Sequence, residues 1–436
     1  GYRHRRETMQ RLLARLATYG GVGALGVYAV SPVDTQGRRS VPLGLARIDD
    51  ALRPALAAVL PADAFVCLYS ASRTPFIHAL SASPVEVNSV QAGSKCLRAM
   101  GLSFRNDLGN AAGLDKDGSL LDFNYAIGAG YTVVGTVLSE GHPGNVFSFL
   151  GGIWMGNAWT PLPGSGAALN SLGLPSKGVD AAMQNIAAFR EKHGIPPQRA
   201  ERGKGCGEPA GACFPIGVSI MGHPAHGSDP NKKNAGVVEC VRRSLPLSDF
   251  IEINESCPNV HHGSGGKGAD EELRARLQAV VAVRDQAAQE SGRRVPILVK
   301  MGDLGDPKAT VQFLSRAGID GVVALNTQKD YESFDLPEAD RALLRHYTER
   351  YGGGLSGPPI LDRSTAQVAA AQAAVQELKL SHTFTVIHVG GLQSVTDMER
   401  SRETGAELRQ WYTGLMHGLA QPEPQTLYAR LGAAAK

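Results

Sequence analysis

The chain has 436 residues with 44 Lys and Arg against 41 Asp and Glu, and a formal net charge of +3. That surplus is too mild to argue for nucleic acid, and the length suffices for one large core with a small appendage. Six cysteines (Cys67, Cys96, Cys206, Cys213, Cys240, Cys257) are scattered too widely for the dense framework of a small disulfide-stapled domain.

Residues 1–8 (GYRHRRET) are basic, and the run from Leu12 to Val30 is almost uncharged apart from Arg15. A membrane span needs about 20 apolar residues, and this run is at the lower limit. The expectation is a single anchor, with the basic flank on the side from which translocation does not occur. A Gly-softened buried helix is the alternative. Residues 31–40 (SPVDTQGRRS) read as a polar linker. Over 45–72, Ala46, Ile48, Leu52, Leu56, Val59 and Leu60 recur with helical spacing, interrupted by Pro54 and Pro61. Two short amphipathic helices are predicted, able to pack on the main domain or to lie in a membrane interface. The chain thus divides into a flank, span and linker (1–40), an amphipathic helical segment (41–100) and a large domain (101–436).

Beyond residue 103, short apolar runs alternate with helical stretches. Eight strands are predicted, at 109–115, 132–137, 215–220, 250–256, 296–302, 321–327, 385–391 and 407–414. Helical patterns fall between them at 178–192, 270–291, 307–317, 364–378 and 395–404. Such alternation predicts an α/β fold of the (β/α)8 TIM-barrel type, with a doubly wound open sheet as the alternative. No GxGxxG follows the first strand, which argues against a Rossmann unit.

In a barrel, reactive groups belong at the C-terminal strand ends. Lys116 follows the first strand, Thr136 ends the second, and Asn254, Ser256 and Cys257 end the fourth. Lys300, Asn326 with Thr327, Gly390 with Gly391, and Tyr412 with Thr413 end the last four. Glycines after the seventh and eighth strands suit a phosphate, because backbone N–H groups can approach it closely; easing tight turns is their bland reading. A lysine inside the barrel mouth is costly without an anionic partner, and a reduced flavin ring offers one to Lys300. Cys257 has a thiol within reach of general-base work, although a small buried hydrophobe is the commonest fate of a free cysteine. Cys206 and Cys213 could pair or bind metal, but no second Cys/His pair at zinc spacing sits nearby, so no metal is expected. Glu255 and Arg409 lie inside strands and, by alternation, face away from Asn254 and Tyr412 toward the helices, where each needs a partner.

Several motifs in shared order resemble the dihydroorotate dehydrogenases, from about Met100 to Ala420. They are AAGLDKDG (111–118), GTV with a following PGN (135–137, 143–145), NSLGLP (170–175), INESCPN (253–259), VPILVK (295–300), LNT (325–327), GGLSG (353–357), HVGGLQS (388–394) and WYTG (411–414). The segment before the barrel and the lysine in GLDKDG look like the membrane-bound, quinone-reducing class. Cys257 and NSLGLP resemble the soluble class instead. The resemblance implies FMN across the barrel mouth. Ala112, Gly113, Thr136, Asn254 and Lys300 would contact its ring and ribityl chain; Gly357, Gly390, Gly391, Tyr412 and Thr413 would contact chain and phosphate. Lys116, Asn170, Gly173, Leu174, Asn259, Asn326 and Thr327 would surround dihydroorotate. Cys257 would take the C5 proton as orotate forms. Ubiquinone would be the acceptor, reached through the N-terminal helices at the mitochondrial inner membrane.

Gly164 stands where the family commonly carries an arginine on the quinone path, and 146–160 and 193–214 look like insertions. Those departures leave an alternative of another kind. A catalytically weakened barrel could serve as a structural subunit of a mitochondrial membrane complex, such as a respiratory assembly.

Overall fold

The computed structural model describes residues 27–34, 36–84, 96–149, 152–200, 213–226, 229–255 and 267–432. Helices α1 (Val41–Val59) and α2 (Ala62–Ser81) come first. A β1 (Leu97–Ala99) and β2 (Leu102–Phe104) hairpin follows, then β3 (Leu108–Asn110), α3 (Leu121–Ala126) and β4 (Thr132–Val137). The short strands β5 (Val146–Phe149), β6 (Ile153–Gly156), β7 (Ala158–Leu162) and β8 (Ala167–Ser171) precede α4 (Val179–His193). The chain continues as β9 (Ile216–Ile220), α5 (Pro230–Ser244), β10 (Phe250–Asn254), α6 (Lys267–Ser291), β11 (Ile297–Met301), α7 (Pro307–Arg316) and β12 (Gly321–Ala324). It closes with α8 (Glu338–Tyr351), β13 (Gly354–Ser356), α9 (Leu361–Glu377), β14 (Thr385–Val389), α10 (Val395–Glu403), β15 (Leu408–Trp411), α11 (Thr413–Gly418) and α12 (Leu427–Leu431).

Eight strands form one parallel sheet in the order β3-β15-β14-β12-β11-β10-β9-β4, and a parallel bridge between Gly109 and Tyr131 closes it. This is the expected TIM barrel; an open sheet would leave those two edges apart. Strand alternation builds both layers. Ile251 and Ile253 of β10 point outward with Val218, Ile297, Val299 and Val322 against helical residues such as Val237, Leu277, Leu314 and Val368. Phe250, Leu298, Val323, Ile387 and Leu408 fill the interior, with Leu102 and Phe104 of the β1–β2 hairpin in the same cluster. Each such side chain contributes on the order of 2 kcal/mol by leaving water.

Glu255, just past β10, and Arg409 of β15 both find partners. Arg276 of α6 donates twice to Glu255, Nε to Oε1 and Nη2 to Oε2, both at 2.7 Å. Arg409 donates to Asp107 at 2.7 Å, and Arg402 of α10 shares that carboxylate at 2.8 Å. Cys213 meets Cys96, with its Sγ 2.7 Å away and both residues buried, whereas Cys206 lies outside the described residues.

Pro54 does not end a helix. It lies inside the 19-residue α1 on its exposed side, where the carbonyl its ring deprives of a donor can face water. Only Pro61 separates the pair, as the residue that precedes α2. The pair packs through Phe65, Val66 and Tyr69 on Phe149, Ala158, Leu162 and Tyr347. Asp63 reinforces the contact by accepting from Arg350 (2.9 Å) and bonding His346 (3.0 Å) on α8. Residues 12–26 of the expected span lie outside the described residues; among those described, no helix is long and apolar enough to cross a membrane.

Candidate functional site

The lysine motif folds as a rigid loop after β3. Asp115 Oδ1 accepts from the Gly118 N–H (2.9 Å), Asp117 pairs with Lys177 (2.6 Å), and Asn185 of α4 donates to the Asp117 carbonyl (2.8 Å). Burial pushes the Asp115 carboxyl up to about 7. Burial also acts to raise Asp117, but hydrogen bonds and charge from Lys177 outweigh it and leave that carboxyl below its ordinary value. Both turns hold the loop so that Lys116, between them, lines a cavity of about 1020 Å³, part of it open to solvent.

Strand ends supply the floor. Asn254 donates to Thr136 Oγ1 at 3.0 Å, and that hydroxyl is 3.1 Å from Ser219 Oγ, so β4, β9 and β10 are tied at their tips. Lys300 is 3% exposed and makes no hydrogen bond or ion pair among the described residues. A buried ammonium of this kind calls for an anionic or carbonyl-bearing ligand. Gln410 lines the floor too; its Nε2 donates to the buried Glu252 at 3.1 Å, and its buried Oε1 has no partner among the described residues.

Loops after the last strands form an anion cradle. At Gly391 the backbone has φ +81°, and a Cβ there would lie 2.6 Å from Leu361 Cα at the start of α9. Gly357, with φ +99°, faces Ala167 as closely: a Cβ would sit 2.8 Å from its Cα. Only glycine permits this approach of backbone to backbone. Ser364 of α9 donates to the Gly390 carbonyl (2.7 Å) and is bonded by His388 Nε2 (2.9 Å). Burial pushes the His388 imidazole down to about 3, so it stays neutral beside the cradle. N–H groups, glycines and the first turn of α9 together suit a phosphate.

All the expected site residues that are described line this one cavity: Lys116, Asn170, Gly173, Leu174, Asn326 and Thr327, with Ala112, Gly113, Thr136, Asn254, Lys300, Gly357, Gly390, Gly391, Tyr412 and Thr413. Cys257 and Asn259 lie outside the described residues. Trp159, Gln410 and Ser356 also line the cavity, and the sequence pattern does not single them out. Trp159 comes from the apparent insertion, whose end is β7 of a three-stranded antiparallel sheet with β8 and β13. Gln410 has a readable signal, a polar residue at an inward strand position between Leu408 and Tyr412.

Helix α2 backs one wall of the cavity. Ser70 bonds both backbone groups of Trp159, donating to its carbonyl (3.1 Å) and accepting from its N–H (3.0 Å). Arg73, one turn on, donates to the Tyr412 hydroxyl from Nε (3.0 Å) and Nη2 (2.6 Å), and from Nη2 to the Gly113 carbonyl (3.1 Å). Its signal in the sequence is a lone cation four residues after Tyr69, on the face that packs inward.

A closed parallel barrel whose strand-end glycines and buried lysine line one cavity places the chain among the (β/α)8 proteins that carry their site at the C-terminal strand ends. The family model described as dihydroorotate dehydrogenase matches residues 95–423. A dihydroorotate dehydrogenase (quinone) of Xylella fastidiosa is 31% identical over 325 residues, covering 73% of this chain and 78% of that protein. One from Burkholderia thailandensis is 32% identical over 323 residues, 73% of this chain and 79% of that one. The chain belongs to the dihydroorotate dehydrogenase family. Its fold is that of a crystal structure of DHODH from Eimeria tenella in complex with ferulenol, with TM-score 0.61 at 21% identity over 81% of this chain and 88% of that one.

Proposed function

We propose that this chain oxidises dihydroorotate to orotate with FMN and passes the electrons to a quinone, ubiquinone in the first instance. One observation carries the reading: motif residues from distant segments line a single cavity, with an anion cradle at one end and Lys116, Asn170, Asn326 and Thr327 elsewhere on its wall. Curated relatives named for the quinone-dependent activity support the acceptor.

The residues present fit FMN. Gly357, Gly390, Gly391, Tyr412 and Thr413 would hold its phosphate and chain, since all five line the one cavity and Gly391 packs on Leu361 too closely for a Cβ. Ala112, Gly113, Thr136, Asn254 and Lys300, which has no hydrogen-bond or ion-pair partner among the described residues, would hold the ring. When bound, FMN supplies the two-electron acceptor that the side chains lack. The amides of Asn170, Asn326 and Asn259, which both donate and accept, match an imide, and Lys116 matches a carboxylate. Cys257 would take the C5 proton as general base.

Ten large apolar residues are exposed among those described, and eight of them (Tyr28, Val30, Val33, Val41, Leu45, Leu52, Val59 and Leu68) fall in the N-terminal segment. That clustering favours a membrane surface as the source of the acceptor, with the mitochondrial inner membrane as the proposed location. The structural-subunit alternative draws no comparable support.

The purified protein should be yellow, absorbing at about 450 nm through its flavin. Dihydroorotate should bleach it without oxygen. A colourless protein, or a colour that dihydroorotate leaves unchanged, would overturn the reading.

A further inference from the structure

The end of the barrel away from the cavity holds a polar cluster of its own. Cys96 precedes β1 of the hairpin whose Leu102 and Phe104 fill that end, and Cys213 precedes β9. The two are 6% and 0% exposed, with Sγ atoms 2.7 Å apart. Sulfurs that close need little backbone movement to bond. Neither cysteine lines the cavity, so the pair lies outside the site built around Lys116 and Lys300.

Arg105, where the hairpin leads into β3, supplies a second observation. It is 2% exposed, and Nη1 donates to the Tyr125 carbonyl at 3.3 Å. Nε and Nη2 are buried without a hydrogen-bond partner among the described residues. The guanidinium carbon lies 4.0 Å from the Tyr125 ring centre and 4.7 Å from that of Phe214, the residue after Cys213. Burial pushes this guanidinium down to about 10, and Tyr125 and Cys213, which can carry negative charge, act against that push. A buried cation lacking a counter-ion is costly, and a neighbouring thiolate offsets the cost. The same charge favours the thiolate, the form of cysteine that oxidants attack.

We propose that Cys96 and Cys213 are a redox-active pair that hydrogen peroxide converts to a disulfide, with Arg105 holding Cys213 as the attacking thiolate. The Cys213 thiolate takes one oxygen of the peroxide; the O–O bond breaks and hydroxide leaves, giving a sulfenic acid. The Cys96 thiol then displaces that oxygen, so that an S–S bond forms, the S–O bond breaks and water leaves. Two thiols have given up two electrons and two protons, and one peroxide has become two waters. A small neutral oxidant suits sulfurs buried this deeply. The bond ties the hairpin to the entry of β9 and closes a loop on the order of 100 residues, which restricts the unfolded chain. This inference is independent of the reading of the cavity as a dihydroorotate site.

Peptide mapping of the full chain tests it. The reduced protein, treated with hydrogen peroxide and digested without reductant, should yield a peptide joining Cys96 to Cys213, with fragmentation distinguishing Cys213 from Cys206. Peroxide should raise the thermal midpoint by about 5 °C, and dithiothreitol should reverse the shift. Cys240, whose thiol burial pushes up to about 12, should stay reduced. Cys96→Ser and Cys213→Ser should lose the reversible shift. Arg105→Gln should form the link about tenfold more slowly, whereas Arg105→Lys should stay near the wild-type rate. The proposal is overturned if peroxide leaves Cys96 and Cys213 as thiols, if it links either one to Cys206 instead, or if their link leaves the midpoint unchanged. A wild-type rate in Arg105→Gln overturns the role given to Arg105. Where a variant does not fold, the wild-type peptide map and its midpoint decide alone.

Discussion

Asp115 and Asp117 flank one lysine and differ in environment. Asp117 is stabilised as a carboxylate by Lys177, whereas Asp115 is fully buried and its Oδ2 has no hydrogen-bond partner among the described residues. Because burial lifts the Asp115 carboxyl from 3.8 to about 7, the folded chain holds a proton there that the unfolded chain releases. Its contribution to stability is complete below about pH 4 and is lost as pH rises through about 7. Thermal unfolding of Asp115→Asn should therefore gain on wild type across that window, by at most about 1.4 kcal/mol per pH unit. A difference independent of pH would show that the burial does not govern this group. Lys116, Lys300 and the amides were legible because polar residues at the ends of apolar runs are expensive unless used. Trp159 and Arg73 were not, since they belong to segments outside the strand–helix alternation.

Strand β10 and helix α6 are joined by the Glu255–Arg276 pair, with side chains 13% and 6% exposed. Glu255 immediately precedes 256–266, the segment that carries Cys257, so this pair anchors the chain where it leaves the barrel. Without Glu255, Arg276 keeps Glu272 at 3.0 Å as a second carboxylate, so Glu255→Ala should cost about 2 kcal/mol in denaturant unfolding rather than the full penalty of a stranded charge. Adding Arg276→Ala should recover part of that loss; fully additive costs would mean the pair is not coupled. The eight barrel strands were readable because strands covered on both faces give continuous β-branched runs. The antiparallel β5–β8 were not, being short and unaccompanied by helices. Pro54 misled for a different reason: on the exposed side of a packed helix, its missing N–H is tolerated.

At the scale of the molecule, the exposed apolar side chains and the cavity's α2-backed wall share one segment. Vesicle flotation of the full chain should show binding that weakens several-fold in Leu45→Glu/Leu52→Glu/Leu68→Glu, while bleaching by dihydroorotate is retained. Equal flotation of variant and parent would rule out these residues as the membrane contact.

The wall made by Gly113 and Tyr412 also bears on how such a chain can change over time. Its two residues follow the first and the last barrel strands, whereas Arg73, which braces them, comes from α2, so the brace can be rebuilt while the cavity lining is kept.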